Sequence, residues 1–291
     1  MLEIGYSGSR AIHMMRTQDI NQPLASLAVA QGTISANFLR PYKGFGVLNH
    51  REQSYMSNYH GLHSLLTRKW SNGVSFQFSY TWSKAIDNAD FTGGIYGFVP
   101  NTFDSRPERG RANFDATHNF VASYIYDLPW LKHSTGLASQ VLGGWQLSGI
   151  TTFQSGLPLN PQLGRDIAGT GSSSRQRPAT SGSPFIGFGD RTATRWFDQS
   201  VFSAPALSTF SPLGRDVLSA PGINNWDIGL SKIFKLHGER PTLEVRAESY
   251  NTFNHTEFNA VGATFFTPSS FGRVTSAKNE RSFMVGMRLQ F

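Results

Sequence analysis

Histidine and serine are the first side chains to examine for chemistry. His60 and His63 form an H-x-x-H pair, a spacing that resembles a metal-binding motif. Residues three apart in a strand project to opposite faces, so these imidazoles are expected to be ordinary polar side chains that share no metal ion. Ser, His and Asp are plentiful, but a nucleophile elbow of the G-x-S-x-G type does not occur.

A second group of charged residues lies in one short segment. Arg106, Arg109 and Arg111 precede Asp115 and His118 and could be misread as catalytic. An ion-pair network that orders a loop, or a contact with an anion, accounts for them more simply. We therefore predict no catalytic, cofactor-binding or metal-binding residues, no cofactor and no enzyme activity.

The glycine-rich stretch GTGSSSRQRP, Gly169 to Pro178, lacks the preceding strand, the spacing and the following helix of a phosphate-binding loop. We interpret it as a flexible loop tip.

The composition narrows the class of protein. Aromatic residues make up 13% of the 291 residues, whereas charged residues make up 15%, well below the usual quarter. No apolar run approaches the roughly 20 residues of a membrane-spanning helix. The absence of cysteine excludes disulfides and cysteine zinc sites. The net charge of +7 suggests phosphate-bearing partners such as lipid head groups or nucleic acid.

Period-two alternation recurs along the chain and predicts an all-β fold of about eight strands. Many of these strands reach about 10 to 12 residues, a length that favours a membrane span over a soluble sheet. The predicted strands are Leu2 to Met14, Ser57 to Lys69, Gly73 to Ala85, Asn119 to Leu128, Gly144 to Gln154, Asn225 to Lys235, Thr242 to Phe253 and Ser282 to Phe291.

The connections between these strands alternate in length. The turns Trp70 to Asn72 and Leu236 to Pro241 are short, whereas the loop Ser155 to Asn224 is very long. Outer-membrane barrels have short periplasmic turns and longer extracellular loops. The pattern therefore predicts an antiparallel transmembrane β-barrel segment in the outer membrane.

The two faces of the strands differ in chemistry. Val74 to Ser83 places Phe76, Phe78, Tyr80 and Trp82 on one face and hydroxyl and amide side chains on the other. The last two strands carry charged side chains on one face. In the core of a soluble sandwich, each unpaired ion would reduce folding stability by several kcal/mol. We therefore expect these charged faces to meet water or a polar plug inside a barrel.

Those last two strands carry the charges in question. Leu243, Val245 and Ala247 oppose Glu244, Arg246 and Glu248. In the final strand, Phe283, Val285, Met287, Leu289 and Phe291 oppose Ser282, Met284, Gly286, Arg288 and Gln290. We expect Arg288 to lie nearest Glu244 on the inner surface.

Aromatic residues are expected at both ends of the spans, as in the girdles of membrane barrels. Tyr80, Trp82 and Trp226 are predicted near the outer rim. Trp70, Trp130, Trp145 and Phe291 are predicted near the inner rim.

Several segments, in order, resemble the C-terminal barrel of Oar-like TonB-dependent receptors. They are DINQP at Asp19 to Pro23, RPYKGFG at Arg40 to Gly46, SYTWSKAID at Ser79 to Asp87, RANFDATHNFVASYIYDLP at Arg111 to Pro129, GWQLSGITTFQSGLPL at Gly144 to Leu159, NNWDIGLSKIF at Asn224 to Phe234 and RAESYNTFNHTEF at Arg246 to Phe258.

The resemblance implies a barrel of roughly 22 strands with an N-terminal plug and a signal peptide. None of those parts is visible here, so residues 1–291 are expected to be a partial barrel, its C-terminal part. The family takes energy from the TonB system through the plug. The final strand resembles the signal read by the outer-membrane assembly machinery, since Phe291, Leu289 and Gly286 fit it, although Met284 stands where a polar residue is usual.

The leading hypothesis is an outer-membrane receptor or transporter barrel that binds or passes a substrate without catalysis. Outer-membrane lipid, lipopolysaccharide and the TonB system are the expected partners, with no nucleic acid. The first alternative is a complete small eight-stranded barrel, which requires Leu2 to Met14 to pair with Ser282 to Phe291. The second is a soluble β-rich carbohydrate-binding or hydrolytic module.

Overall fold

One antiparallel sheet of eight long strands dominates the computed structural model, which describes residues 1–89, 91–92, 95–96, 99–130, 136–172, 175–236, 241–278 and 280–291. Each long strand pairs with its neighbour in sequence. The strands are β1 Leu2–Asp19, β2 Asn49–Ser71, β3 Val74–Asp87, β4 His118–Asp127, β5 Gln146–Gln154, β6 Ile223–Lys235, β7 Thr242–Tyr250 and β8 Ser282–Gln290.

Shorter elements occupy the connections. The α-helices are Leu27–Ala30 and Leu137–Leu142, and the 3₁₀ helices are Ala36–Phe38, Arg106–Glu108 and Phe188–Asp190. The short strands are Phe91–Thr92, Ile95–Tyr96, Gly110–Arg111, Pro158–Leu159, Ala179–Thr180, Phe202–Ser203, Leu218–Ser219, Phe258–Val261 and Val274–Ala277. No helix in the described ranges is long and apolar enough to cross a membrane.

All eight predicted strands are present, and the first two are longer than predicted. Asp19 pairs with Asn49, so the β1–β2 hairpin continues past the predicted ends at Met14 and Ser57. The pairing of β2 with β3 begins at Ser57, so this extension projects beyond the rest of the sheet. Register shifts next to Met14 interrupt the period-two pattern, which is why the extension was not visible in the sequence.

The four longest connections lie at one end of the sheet, as predicted, and the shorter ones lie at the other end, including the intermediate connection 128–145. Asn72 and Gly73, with φ of 52° and 76°, join β2 to β3 in a two-residue turn whose positive angles match the type I′ hairpin turn. We call this the turn end. Between β6 and β7, residues 237–240 of the second short connection lie outside the described part. The opposite end, the loop end, carries the connections 20–48, 88–117, 155–222 and 251–281.

Strand register carries the predicted face division across the sheet. Phe78 lies opposite Leu66 and Ala122, and Gln77 lies opposite Thr67 and Ser123. We call the side of Phe78 the aromatic face and the side of Gln77 the polar face.

The two histidines of the H-x-x-H pair lie on different faces, as expected. His60 stacks on Tyr6 on the aromatic face, with ring centroids 6.2 Å apart. On the polar face, the Oγ of Ser7 lies 2.8 Å from Nε2 of His63.

A row of rings crosses the aromatic face near the loop end. The centroids of Phe120 and Phe153 are 6.1 Å apart, and Trp226 continues the row 5.6 Å from Phe153 and 5.5 Å from Phe253. Tyr80 and Trp82 lie toward the same end, and Trp70, Trp130, Trp145 and Phe291 toward the turn end. The two predicted sets of aromatic residues thus lie toward opposite ends of the sheet.

The long connections fold into a layer with its own apolar core, which the sequence did not predict. Trp196, Phe197, Phe202 and Leu218 come from one connection, and Val261 and Phe271 come from another. We call this part of the chain the loop layer.

Gly169 to Pro178 was predicted to be a flexible loop tip. Residues 173–174 lie outside the described part of the chain. For the other residues the prediction was wrong. Thr170, Gln176 and Arg177 are buried. The carboxylate of Asp166 accepts hydrogen bonds from the backbone N–H groups of Gly169, Thr170 and Gly171. The positive φ angles of Gly169 and Gly171, 70° and 80°, thus let the backbone wrap the half-buried carboxylate of Asp166.

The two outermost strands of the sheet have exposed edges. Among the described residues, β1 pairs only with β2 and β8 only with β7. The pairing of Leu2 to Met14 with Ser282 to Phe291, which a closed eight-stranded barrel requires, is therefore not seen there. On the aromatic face of β8, Val285 and Met287 are 69% and 74% exposed.

Candidate functional site

The polar face holds a cavity of about 540 Å³ that spans six strands. Its polar lining includes Ser75, Gln77, Ser123, Ser148, Asp227 and Glu248, together with Arg68 and Lys69. Ile125 and Ile150 face the same space. Such a surface combines polar groups with apolar side chains, so it can bind polar solutes or a segment of a protein.

The charged residues of the last two strands lie together on this face, as predicted. Glu244 pairs directly with Arg288 in the strand register. Arg246 forms ion pairs with Glu244 at 3.5 Å and Glu248 at 3.3 Å. Arg246 is more than half exposed, so these pairs set the charge of the surface more than they stabilise it.

A buried ion pair connects two of the long connections in the loop layer. Arg177 donates to both carboxylate oxygens of Glu108, at 3.1 and 2.5 Å. Both side chains are at most 5% exposed. Arg177 Nε also donates to the backbone oxygen of Leu213 at 2.8 Å. The bidentate geometry and the third hydrogen bond offset part of the cost of burying two charges.

A second buried cluster joins the loop layer to the loop end of the sheet. Arg215 forms ion pairs with Asp87, at the end of β3, and with Asp216. The hydroxyl of Tyr55 donates to Asp87 at 3.0 Å. Burial and the neighbouring Asp87 carboxylate raise the pKa of Tyr55, so this hydroxyl stays protonated well into the alkaline range.

The DINQP and RPYKGFG segments of the family resemblance form one hydrogen-bonded unit. Asp19 accepts from the backbone N–H groups of Asn21 and Leu48, both at 2.9 Å, and pairs with Arg40 at 3.1 Å. The amide of Asn21 donates to three backbone oxygens, including Gly46 at 2.7 Å. These motif residues hold the first connection in shape.

The arginine segment contains the ion pairs that the sequence predicted. Arg111 and Lys84 both contact the fully buried carboxylate of Asp115, at 3.0 and 3.2 Å. His118 does not join them, because it lies on the aromatic face with its Nδ1 2.8 Å from the hydroxyl of Tyr80.

Near this cluster, an exposed ion pair orders the start of a 3₁₀ helix. Arg106 contacts Asp104 at 2.9 Å, and its hydrogen bonds lower the pKa of Asp104 to about 2. Arg106 is 91% exposed.

The sequence did not reveal two parts of this arrangement. The Asp87–Arg215 pair joins residues 128 positions apart, and a single sequence carries no signal for such a contact. Asp227 is not marked as a site residue by its sequence neighbours, although the period-two pattern places it on the polar face. Its Oδ1 accepts the backbone N–H of Asn251 at 2.9 Å.

Within the described ranges, no three His, Asp or Glu side chains are grouped so that they could hold a metal ion. The arrangement combines a polar face on the sheet with a loop layer tied together by buried ion pairs.

Comparison with known proteins identifies the family. A family model described as an outer membrane beta barrel domain matches residues 1–284. Searches of the curated proteins and of the solved structures gave no match. The match covers nearly the whole chain and agrees with the antiparallel sheet, the aromatic rows and the unequal connections. The chain therefore belongs to the outer membrane beta barrel domain family, and it is a protein of the outer membrane.

Proposed function

We propose that this chain forms part of the wall of a larger TonB-dependent receptor barrel, resembling the Oar-like receptors, that binds or passes a substrate without catalysis. The carrying observation is the pair of exposed edges, since β1 and β8 do not pair with each other among the described residues. A membrane sheet must close on itself, because unpaired backbone groups cost several kcal/mol each in lipid. Additional strands would satisfy both edges.

The polar face supports a transport role. In a wide barrel it would line the lumen, and its cavity of about 540 Å³ would face the substrate path or the plug. Ile125 and Ile150 would give a plug two apolar contacts among the polar ones. Under this proposal the domain assignment is a partial receptor barrel over residues 1–291.

Three partners follow from the proposal. The TonB system would act through a plug, and the assembly machinery would read the final strand that ends at Phe291. Lipids of the outer membrane, including lipopolysaccharide, would contact the aromatic face.

Cross-linking of the free edge tests the proposal. A benzophenone amino acid replaces Tyr6 in β1 in the gene product isolated from outer membranes, and mass spectrometry identifies the cross-linked peptide. Peptides from strands other than residues 282–290 are expected, in addition to those of β2. The same probe at Tyr124, whose register partners are Phe76 and Gly149, serves as the control and should label β3 and β5.

A cross-link from position 6 to β8 would overturn the proposal and favour the complete eight-stranded barrel. The soluble alternative is already excluded by the outer-membrane family.

Retention on the immobilised periplasmic domain of TonB tests the energy coupling. The receptor solubilised from outer membranes should be retained, whereas the isolated 291-residue chain should pass through, because the coupling is assigned to the plug.

A further inference from the structure

A groove lies where the loop layer overhangs the aromatic face of the sheet. It consists of two adjoining cavities of about 680 and 800 Å³ that both contact Arg191, Trp196, Asn224 and His255. The sheet contributes the aromatic-face side chains of Phe153 and Trp226 as its floor. Because these residues lie at the loop end of β5 and β6, the groove is at the level where lipid head groups meet the exterior.

The roof of the groove is held in place by hydrogen bonds. The indole N–H of Trp196 donates to the backbone oxygen of Ser219 at 2.9 Å, and Arg111 donates to the hydroxyl of the same serine at 2.8 Å. The backbone N–H of Asn224 donates to buried Glu257 at 2.8 Å. The space between roof and floor is therefore preformed.

Arg191 is a cation of the groove for which the described residues supply no carboxylate. Its guanidinium lies 5.4 Å from the ring centroid of Trp196. Its Nε is buried without a hydrogen bond, and Arg191 forms no ion pair in the described part of the chain. The other cations differ, since Lys84 and Arg111 share Asp115, and His255 lies 3.2 Å from Glu257. A buried donor without an acceptor is costly, so Arg191 is prepared for an anion from outside the chain.

We propose that this groove binds the phosphate head group of an anionic lipid of the outer leaflet, with Arg191 as the phosphate ligand and the aromatic floor under the acyl chains. Arginine presents several N–H donors in a planar fork that matches phosphate oxygens. Lys84 and Arg111 keep the side wall basic despite Asp115. A soluble anion would gain nothing from the floor of Phe153 and Trp226, which selects an amphiphilic ligand. The inference depends on the outer-membrane family and not on the proposed transport function.

Lipid selectivity measures this site. The protein purified from outer membranes is reconstituted in phosphatidylcholine vesicles. Spin-labelled phosphatidic acid is then compared with spin-labelled phosphatidylcholine by electron paramagnetic resonance. Selectivity for phosphatidic acid is expected in the parent protein. Arg191→Gln should lower that selectivity about tenfold, near the lower end of the contribution of a hydrogen bond to a charged group.

Arg195→Gln is the matched control. Arg195 lies in the same connection, is 57% exposed and is 4.0 Å from Asp198, and it does not line the groove. Its substitution should leave the selectivity unchanged. An unchanged selectivity in Arg191→Gln, or an equal loss in Arg195→Gln, would overturn the proposal. Displacement of the labelled lipid by inorganic phosphate would also overturn it, because the ligand would then be a soluble anion.

Arg191→Lys provides a second variant if the glutamine variant does not fold. It keeps the positive charge but lacks the Nε donor and the planar fork. Partial loss of selectivity is expected, and full parental selectivity would contradict a role for the guanidinium.

Discussion

The buried pair of Glu108 and Arg177 allows a quantitative test of the loop layer. Glu108→Gln removes the carboxylate and leaves the Arg177 guanidinium buried without its counter-ion. Both side chains are at most 5% exposed, so solvent screening does little to reduce the cost. Breaking a buried ion pair in this way costs about 3 to 5 kcal/mol. At 1.36 kcal/mol per factor of ten, local opening of the loop layer should increase by roughly two to four orders of magnitude.

Limited proteolysis of the protein in outer-membrane vesicles measures this opening. When the loop layer opens and closes faster than it is cleaved, the cleavage rate follows the population of the open form. A protease added outside the vesicles should therefore cut the connection 155–222 much faster in Glu108→Gln than in the parent.

A matched control lies two residues away. Arg106→Gln breaks the exposed pair with Asp104 in the same 3₁₀ helix, and it should leave the cleavage rate near that of the parent. A double variant, Glu108→Gln with Arg177→Met, removes both charges and should recover much of the lost protection. Equal cleavage of Arg106→Gln and Glu108→Gln, or no recovery in the double variant, would refute the reasoning.

Further predictions concern the sheet and its loop end. Phe78→Arg, on the lipid side, should reduce folding stability in vesicles by about 2 to 4 kcal/mol. Gln77→Arg, on the polar side, should leave folding stability nearly unchanged. Equal losses of stability would contradict the face assignment. Arg288→Glu should destabilise β8 by about 0.2 to 1 kcal/mol through repulsion from Glu244. Adding Glu244→Arg should restore the lost stability. A double-mutant cycle without coupling would count against this register. Because the pKa of Tyr55 is raised in the folded protein, its contribution to stability is complete below pH of about 10 and declines above it. Tyr55→Phe should accordingly leave the ultraviolet tyrosinate signal near pH 10 unchanged, and a loss of signal there would show that Tyr55 titrates normally.

Local alternation was enough to predict the sheet. Phe78 and Gln77 alternate because of backbone geometry alone, and Asn72–Gly73 marks a hairpin turn by its conformational preference. The face of every strand from β1 to β8 then follows from pairing with its neighbour. The extension of β1 beyond Met14 was missed because a bulge interrupts the alternation.

The loop layer was out of reach for the opposite reason. Its core and ion pairs join residues far apart in the chain, such as Glu108 with Arg177 and Asp87 with Arg215. Arg111 and Asp115 are only four residues apart, and they form an ion pair within the segment for which the sequence suggested an ion-pair network or an anion contact. The role proposed for Arg191 could not be predicted either, because it rests on a buried Nε without a hydrogen bond, which only the folded structure shows.

The separation of Asp87 and Arg215 has a consequence for the order of folding. Neighbouring strands pair after short or moderate chain closures, whereas this ion pair closes 128 residues. Distant contacts form late, because the entropy of closure is lost before the contact contributes. We therefore expect the arginines of the connection 155–222 to reach the cell exterior before they pair, and the loop layer to become ordered last. A defect in the Asp87–Arg215 contact should thus produce a protein that is inserted in the membrane with a normal sheet but with an unfinished exterior.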